Sequence, residues 1–420
     1  MYVGYAAFML CRNTLGAASP LMMEDAALAM GKPEYGRLLS WASAGAIIGK
    51  LVTGIGADIL GGRKMFLIAL SLTALANLGF AFSTSLVTLG VFNFLGQAFK
   101  AGGWPAMVKI VGEWYPQRRS GQVWSIISTS SRVGTIAAGM VLGFLLAMIS
   151  WRAVFIVSAV ITGLVVILAF FFLKDRPEDV GLDPLPDDST GKLGDGEKLP
   201  AASHPFDDLN VRQVCWRFIA SGRFWMIGLS ICFLCILMEF INFIPIYLTE
   251  SMGIASEKAS MAGSAFPAGM FAALVATSVV YDRLNKWRLI YVLGGLLAVG
   301  CLCVVALWNF ASLPIPTSMQ VPAAIGLIFL MGFSLSPAYY IPMSVFSVSF
   351  GGKHGGFLVA LIDVFGYAGA MLFNYFGGSI AEDYGWSVFL IGLLSIAVAA
   401  LLSMTTFLTL DYRASRSLGR

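Results

Sequence analysis

Twelve apolar stretches, each close to the length that crosses a bilayer, constrain this chain more than any other property of its sequence. A hydrocarbon core of about 30 Å takes about 20 apolar residues at 1.5 Å per residue. Stretches of that kind predict helices over residues 2–23, 36–58, 65–84, 86–112, 121–149 and 152–173, then over 224–248, 258–281, 288–310, 320–349, 355–380 and 386–410. Hydrophobic residues make up 58% of the 420 and charged residues only 12%, against about 25% charged in a soluble domain. A soluble fold could not hide that much apolar surface, so the predicted fold class is all-α, integral to the membrane, with twelve transmembrane helices. The spans divide the chain into an N-terminal six-helix bundle (1–173), a linker (174–223), a second six-helix bundle (224–412) and a short tail (413–420). The linker carries Asp175-Arg-Pro-Glu-Asp179, Pro184, Pro186 and Pro200 with many acids, and reads as water-exposed chain with a short helix near 207–216.

Basic residues orient the spans. Arg63 and Lys64, Arg118 and Arg119, Lys174 and Arg176, Arg283, Lys286 and Arg288, Lys353, and Arg413, Arg416 and Arg420 fall on alternate loops, while Glu24, Asp25, Glu250, Glu382 and Asp383 fall on the opposite ones. Both termini are therefore expected in the cytoplasm. This topogenic role accounts for the net charge of +4; with no aromatic-basic stripe, nucleic acid is not an expected partner. The chain starts inside an apolar run without a basic leader, so the first helix is expected to direct insertion. Cys232-x-x-Cys235 and Cys301-x-Cys303 lie in apolar spans without histidines at zinc spacing and read as small core residues. No metal or cofactor is expected, and no nucleotide loop or nucleophile elbow suggests an enzyme or an ATP-driven pump.

The loop Gly54-Ile-Gly-Ala-Asp58-Ile-Leu-Gly61-Gly62-Arg63-Lys64 joins the second and third spans. Its glycines suit a tight turn, Arg63 and Lys64 mark the cytoplasmic side, and Asp58 can face the positive N-terminal end of a neighbouring helix; the simpler reading is a basic loop that sets topology alone. A weaker copy, Tyr281-Asp282-Arg283-Leu-Asn-Lys286, follows the second span of the other half, and Ser150-Trp151-Arg-Ala-Val-Phe155 is echoed by Gly385-Trp386-Ser-Val-Phe389. From Asp58 to Asp282 is 224 positions, and from Trp151 to Trp386 is 235. Two pseudo-symmetric six-helix bundles related by an axis along the membrane normal, with a ligand site between them near the midplane, are the expected architecture.

On these features the chain resembles the major facilitator superfamily over its whole length. Within it, the chain is similar to the organophosphate:phosphate antiporters, the glycerol-phosphate, hexose-phosphate and glucose-6-phosphate transporters. Tyr5-Ala-Ala-Phe-Met-Leu-Cys-Arg12, Gly49-Lys50, Gly96-Gln97 through Gly103-Trp104-Pro105, Ser150-Trp151-Arg152, Arg176-Pro177-Glu-Asp-Val-Gly181 and Phe365-Gly366-Tyr367 carry that narrower likeness. The resemblance implies a monomeric secondary transporter that exchanges or cotransports a small organic anion, such as a sugar phosphate, with phosphate or a proton as coupling ion. One branch of the resembled family senses ligand rather than moving it, so a transporter-like receptor is a second reading. Bacterial inner membrane and eukaryotic membranes fit equally.

Charged side chains at mid-bilayer depth face a cavity or a partner. Arg12 stands where the resembled family grips the substrate phosphate; its fork can hold two anionic oxygens, and the competing reading is a structural pair with Glu239. Lys50 stands at the second-helix lysine position, in the anion pathway or in a gating ion pair. Lys100 is a third candidate, Arg132 either a further anion clamp or a packing partner, and Lys109 a snorkelling residue. Tyr5, Trp104, Tyr339, Tyr340 and Tyr367 are candidate wall residues, with Asn242, Asn374 and Ser336 as weaker ones. The repeat offsets put Glu239 near the pseudo-equivalent of Arg12 and Asp363 near that of Arg132. Basic N-half and acidic C-half positions suggest ion pairs between the halves, or proton-carrying carboxylates, with Asp58, Arg63, Asp282 and Asp363 as gating or coupling residues. The same polarity admits a carboxylate or a zwitterion, with its cationic end at Glu239 or Asp363. The chain departs from the resembled family at Leu237-Met-Glu239-Phe-Ile-Asn242, where no second arginine stands, and near Ser131 and Arg132, where a histidine is missing.

Overall fold

The computed structural model describes residues 1–115, 117–182, 211–280, 284–351 and 354–418. Asp282 and most of the linker lie outside the described residues, as does the side chain of Asp58, so the roles expected of those two acids are not addressed by the structure. The described residues are helical, without strands. The first half comprises α1 (Tyr2–Glu24), α2 (Lys32–Leu60), α3 (Gly62–Ala81), α4 (Leu86–Lys100), α5 (Gly103–Trp114), α6 (Gln117–Leu146) and α7 (Trp151–Phe172). A short α8 (Val211–Ile219) precedes the second half, which comprises α9 (Gly222–Glu239), α10 (Ile244–Met252), α11 (Ser256–Gly263), α12 (Ala265–Val280), α13 (Lys286–Trp308), α14 (Thr317–Gly351), α15 (Gly355–Asp383) and α16 (Gly385–Leu418).

Three crossings are made in two pieces: α4 with α5, α9 with α10, and α11 with α12. Proline explains where they restart. Pro105, Pro245 and Pro267 each fall in the first turn of the new piece, where backbone N–H groups have no intrahelical acceptor and a missing one removes no bond. Pro337, in contrast, lies inside the unbroken α14 with Pro322 and Pro342. With these joins counted the described helices make twelve crossings. Nine described helical spans are long and apolar enough to cross a membrane. The crossings α1, α2 and α4–α5 carry Arg12, Lys50 and Lys100.

The halves repeat one packing scheme. In the first, α1 packs on α6 and α7, α2 on α4, and α3 on α4 and α7; in the second, α9 packs on α15 and α16, α12 on α14, and α13 on α14 and α16. The repeat extends to single contacts. Trp151 donates its indole N–H to Asp25 Oδ2 at 3.0 Å, and Trp386 donates to Glu250 Oε2 at 2.7 Å. At the other end of each half an acid ties the sixth crossing to the start of the third. Asp175 accepts from the Arg63 backbone N–H at 2.7 Å, and Asp411 takes Lys286 at 3.3 Å and Arg223 at 3.2 Å. Arg63 adds hydrogen bonds to the Leu173 and Phe170 carbonyls at 2.6 and 2.7 Å, satisfying acceptors that the end of α7 leaves open. Gly61 turns the chain between α2 and α3 at φ 85°, a conformation that favours glycine.

An even number of crossings brings both termini to one end. The halves meet along α2–α15, α6–α11 and α12, and α1–α10 and α11, and the contacts between them gather toward the opposite, far end. There Lys32 bridges Glu250 at 2.7 Å and Glu382 at 3.2 Å, and Ser256 donates to Glu24 at 3.1 Å. A Cβ on Gly36 would strike the Asn374 carbonyl, and one on Gly378 the Lys32 carbonyl. Small residues here let two backbones touch, as helices do where lipid supplies no hydrophobic drive to associate.

Candidate functional site

A cavity of about 50 Å³ lies between the halves, lined by Arg12, Leu15 and Gly16 of α1, Leu39, Ala42, Ser43 and Ala46 of α2, Asn93, Gln97 and Lys100 of α4, Glu239 and Asn242 of the α9–α10 crossing, and Tyr367 of α15. A smaller space of about 20 Å³ inside the first half adjoins it through Arg12, Leu15, Asn93, Gln97 and Lys100. Sites for small organic molecules take about 300–1,000 Å³, so the halves must part before a metabolite can enter.

Arg12 sits midway along α1 yet stays exposed to this internal space. Tyr367, Glu239, Tyr5 and Tyr340 are close enough to interact with it electrostatically, and among the described residues none hydrogen-bonds to it. The alternative Arg12–Glu239 pair is not formed, because two side-chain amides hold the carboxylate instead. Asn242 and Asn374 donate their Nδ2 groups to Glu239 Oε2 at 2.7 and 2.9 Å, and Tyr35 donates to the Asn242 carbonyl at 2.7 Å. Lys100, half-buried at the end of α4, has Gln97 Oε1 at 3.5 Å and the charges of Arg12, Lys50 and Glu239 around it. Two cations from separate helices thus face the cavity without an acid bonded to either.

Lys50 is different. Its ammonium lies 2.5 Å from Asp363 Oδ2 and 4.4 Å from the centroid of the Tyr367 ring, joining α2 to α15 across the halves. The repeat offsets make Asp363 the pseudo-equivalent of Arg132, and of the basic residues that could pair with it the structure brings Lys50. Arg132 is buried, donates to the Ser128 carbonyl at 2.7 Å and lies 4.2 Å over the Tyr340 ring. It lines neither space, so it fits the packing role rather than a clamp. Its Nε–H is buried without a partner.

Trp104 packs edge-on against Tyr5 at 5.6 Å; neither lines the cavity, although Tyr5 is close to Arg12. Tyr339 receives the Cys235 thiol hydrogen at 3.8 Å. Lys109 does not reach for the surface but donates to the Ala57 carbonyl in the last turn of α2 at 3.1 Å. Sequence reasoning did not single out Asn93 or Ser43, which line the cavity. Asn93, Gln97 and Lys100 recur at helical spacing within an apolar segment, and that polar stripe is a signal for one wall.

The chain is similar to several known proteins. A probable hexose phosphate transport protein of Chlamydia pneumoniae is 25% identical over 96% of this chain and 88% of its own length. The membrane sensor protein UhpC of Escherichia coli (strain K12) is 24% identical over 96% and 89%, and a glycerol-3-phosphate transporter of Bacillus subtilis (strain 168) is 23% identical over 99% and 91%. Among solved structures, the nucleoside transporter NupG superposes with a TM-score of 0.70 at 14% identity, covering 97% of this chain and 99% of that one. An inward-facing, occupied bacterial homolog of the lysosomal transporter Spinster gives 0.68 at 14% identity, covering 99% and 95%; both likenesses concern the fold alone. The profile of the Major Facilitator Superfamily matches residues 1–316. With twelve crossings in two repeated halves around one polar cavity, the chain belongs to the Major Facilitator Superfamily.

Proposed function

We propose that the chain is a secondary transporter of small phosphate-bearing organic anions, exchanging them for phosphate by alternating access. One observation carries this reading: Arg12 faces the internal cavity with no bonded acid, beside a second such cation, Lys100. A guanidinium fork and an ammonium together match the two negative charges of a phosphate monoester, and charge-assisted hydrogen bonds gain strength in a site with little water. The named activities of the bacterial relatives point to the same class of ligand.

In the proposed cycle the halves, residues 1–173 and 224–412, rock as rigid units joined by the 174–223 linker. Ligand binds Arg12 and Lys100, the far-end contacts of Lys32 with Glu250 and Glu382 break as that end opens, and Lys50–Asp363 parts and re-forms with each turn. The loop cations support cytoplasmic termini.

Uptake of labelled phosphate into proteoliposomes preloaded with phosphate tests the proposal. Exchange inhibited by external sugar phosphates supports it, and folded protein without exchange overturns it. A receptor reading has one support of its own, the likeness to a membrane sensor; binding of sugar phosphate without counterflow would favour it.

A further inference from the structure

The charges in the cavity do not balance for a simple phosphate ester. Lys50 and Asp363 cancel each other. Arg12, Lys100 and Glu239 remain on the wall. A phosphate dianion matches Arg12 and Lys100, which leaves the carboxylate of Glu239 without a counter-charge in a site where lone charges are costly.

The geometry at Glu239 is specific. Both amides that hold it, Asn242 and Asn374, donate to the same oxygen, Oε2. They fix the carboxylate and bring no charge. The other oxygen, Oε1, accepts no hydrogen bond among the described residues, while Glu239 lines the same cavity as Arg12 and Lys100. Asp363, the other acid with which a ligand's cationic end could pair, is occupied by Lys50.

We propose that the preferred ligand is a phosphate monoester that also carries an ammonium group, with the phosphate at Arg12 and Lys100 and the ammonium at Glu239 Oε1. The inference rests on the transport reading above and narrows its substrate class. A hydroxyl at the same place can donate a hydrogen bond but leaves the negative charge uncompensated; an ammonium does both, and the occupied site is then neutral.

The test is direct binding to the purified full-length chain by isothermal titration, using three esters that differ at one position: glucosamine 6-phosphate, glucose 6-phosphate and N-acetylglucosamine 6-phosphate. Wild-type protein should bind the amine ester at least about tenfold more tightly than the hydroxyl ester, a difference of about 1.4 kcal/mol. Acetylation, which removes the charge and keeps the nitrogen, should abolish the advantage. In Glu239→Gln the amine and hydroxyl esters should bind alike. Equal binding of all three to wild type overturns the proposal, whether or not the variant folds. So does an amine preference that persists in folded Glu239→Gln. If Glu239 takes a proton instead, the hydroxyl ester will bind as well as the amine ester and more tightly at lower pH, which also overturns it. Phosphate exchange in proteoliposomes is read separately: exchange without amine preference removes this inference alone, and absence of exchange removes the transport reading.

Discussion

Replacing Asp363 by asparagine leaves Lys50 beside Tyr367 without its acid, and the size of the effect follows from the exposure of the pair. The Lys50 side chain is 38% exposed and that of Asp363 18%. Exposed ion pairs contribute about 0.2–1 kcal/mol, while breaking a buried one costs about 3–5 kcal/mol. Solvent screens this pair in part, so the loss should be about 1–2 kcal/mol. The contact with the Tyr367 ring survives the substitution and adds nothing to the loss. Because the pair joins α2 to α15, that energy favours the arrangement in which the halves meet at the far end, and its loss should cut the population of that arrangement about 5- to 30-fold. Ser40, which donates to the Met371 carbonyl at 2.8 Å and is buried between the same two helices, reports the opening. Modification of Ser40→Cys by a water-soluble thiol reagent, resolved by mass spectrometry, should accelerate by that factor in Asp363→Asn. The charge swap Lys50→Asp with Asp363→Lys should bring it back toward the wild-type rate. An unchanged rate in folded Asp363→Asn, or a swap no better than either single variant, would refute the reasoning.

Arg12→Ala should weaken phosphate binding at least about 100-fold, since two hydrogen bonds to a charged group at about 1.5 kcal/mol or more each are removed. The amount of folded protein in the membrane should not change, because no described residue is hydrogen-bonded or ion-paired to the guanidinium; near-normal binding would reject Arg12 as the anion anchor. Gly378→Leu should hold the far end open by pushing against the Lys32 carbonyl, giving fast Ser40→Cys labelling and slow exchange, and exchange at the wild-type rate would exclude this. Trp151→Phe and Trp386→Phe each lose an indole donor to an acid and should destabilise their own half by about 1 kcal/mol; a large effect of one and none of the other would break the equivalence of the halves. Arg63→Ala should raise hydrogen exchange at residues 170–175, because its side chain holds the Phe170 and Leu173 carbonyls, and unchanged protection there would show that the contact is dispensable.

The helices were legible because hydrocarbon thickness sets their length and apolar composition their identity; their ends lie within about four residues of the expected ones except that α16 runs on through the expected tail to Leu418, while the breaks at Ala101-Gly102 and Ser264 depend on local packing that periodicity does not report. In the site, the convergence of Arg12, Lys100, Glu239, Asn242 and Tyr367 on one cavity followed from polar residues at mid-span. The partner of Asp363 did not follow. Repeat offsets identify equivalent positions, and equivalent positions under a two-fold axis do not touch unless they lie on it. Arg132 on α6 and Asp363 on α15 are equivalents; α6 packs on α11 and α12, whereas α15 packs on α2, which is why Asp363 meets Lys50. The acids Asp175 and Asp411 were also missed in this role, because nothing in their local sequence says which distant helix start they will bind.

The arginine in the middle of α1 affects how the protein is made. An arginine or lysine at the middle of a helix adds about 2.5–3.5 kcal/mol to its insertion, and α1 carries Arg12 there. Its packing partners α6 and α7 are synthesised more than a hundred residues later. Until the ribosome has delivered α6 and α7, α1 lacks those neighbours, so chains truncated before Gln117 should insert it less well than chains that extend past Phe172. Under the proposed function, the arginine that anchors the ligand is also the charge that opposes insertion of α1.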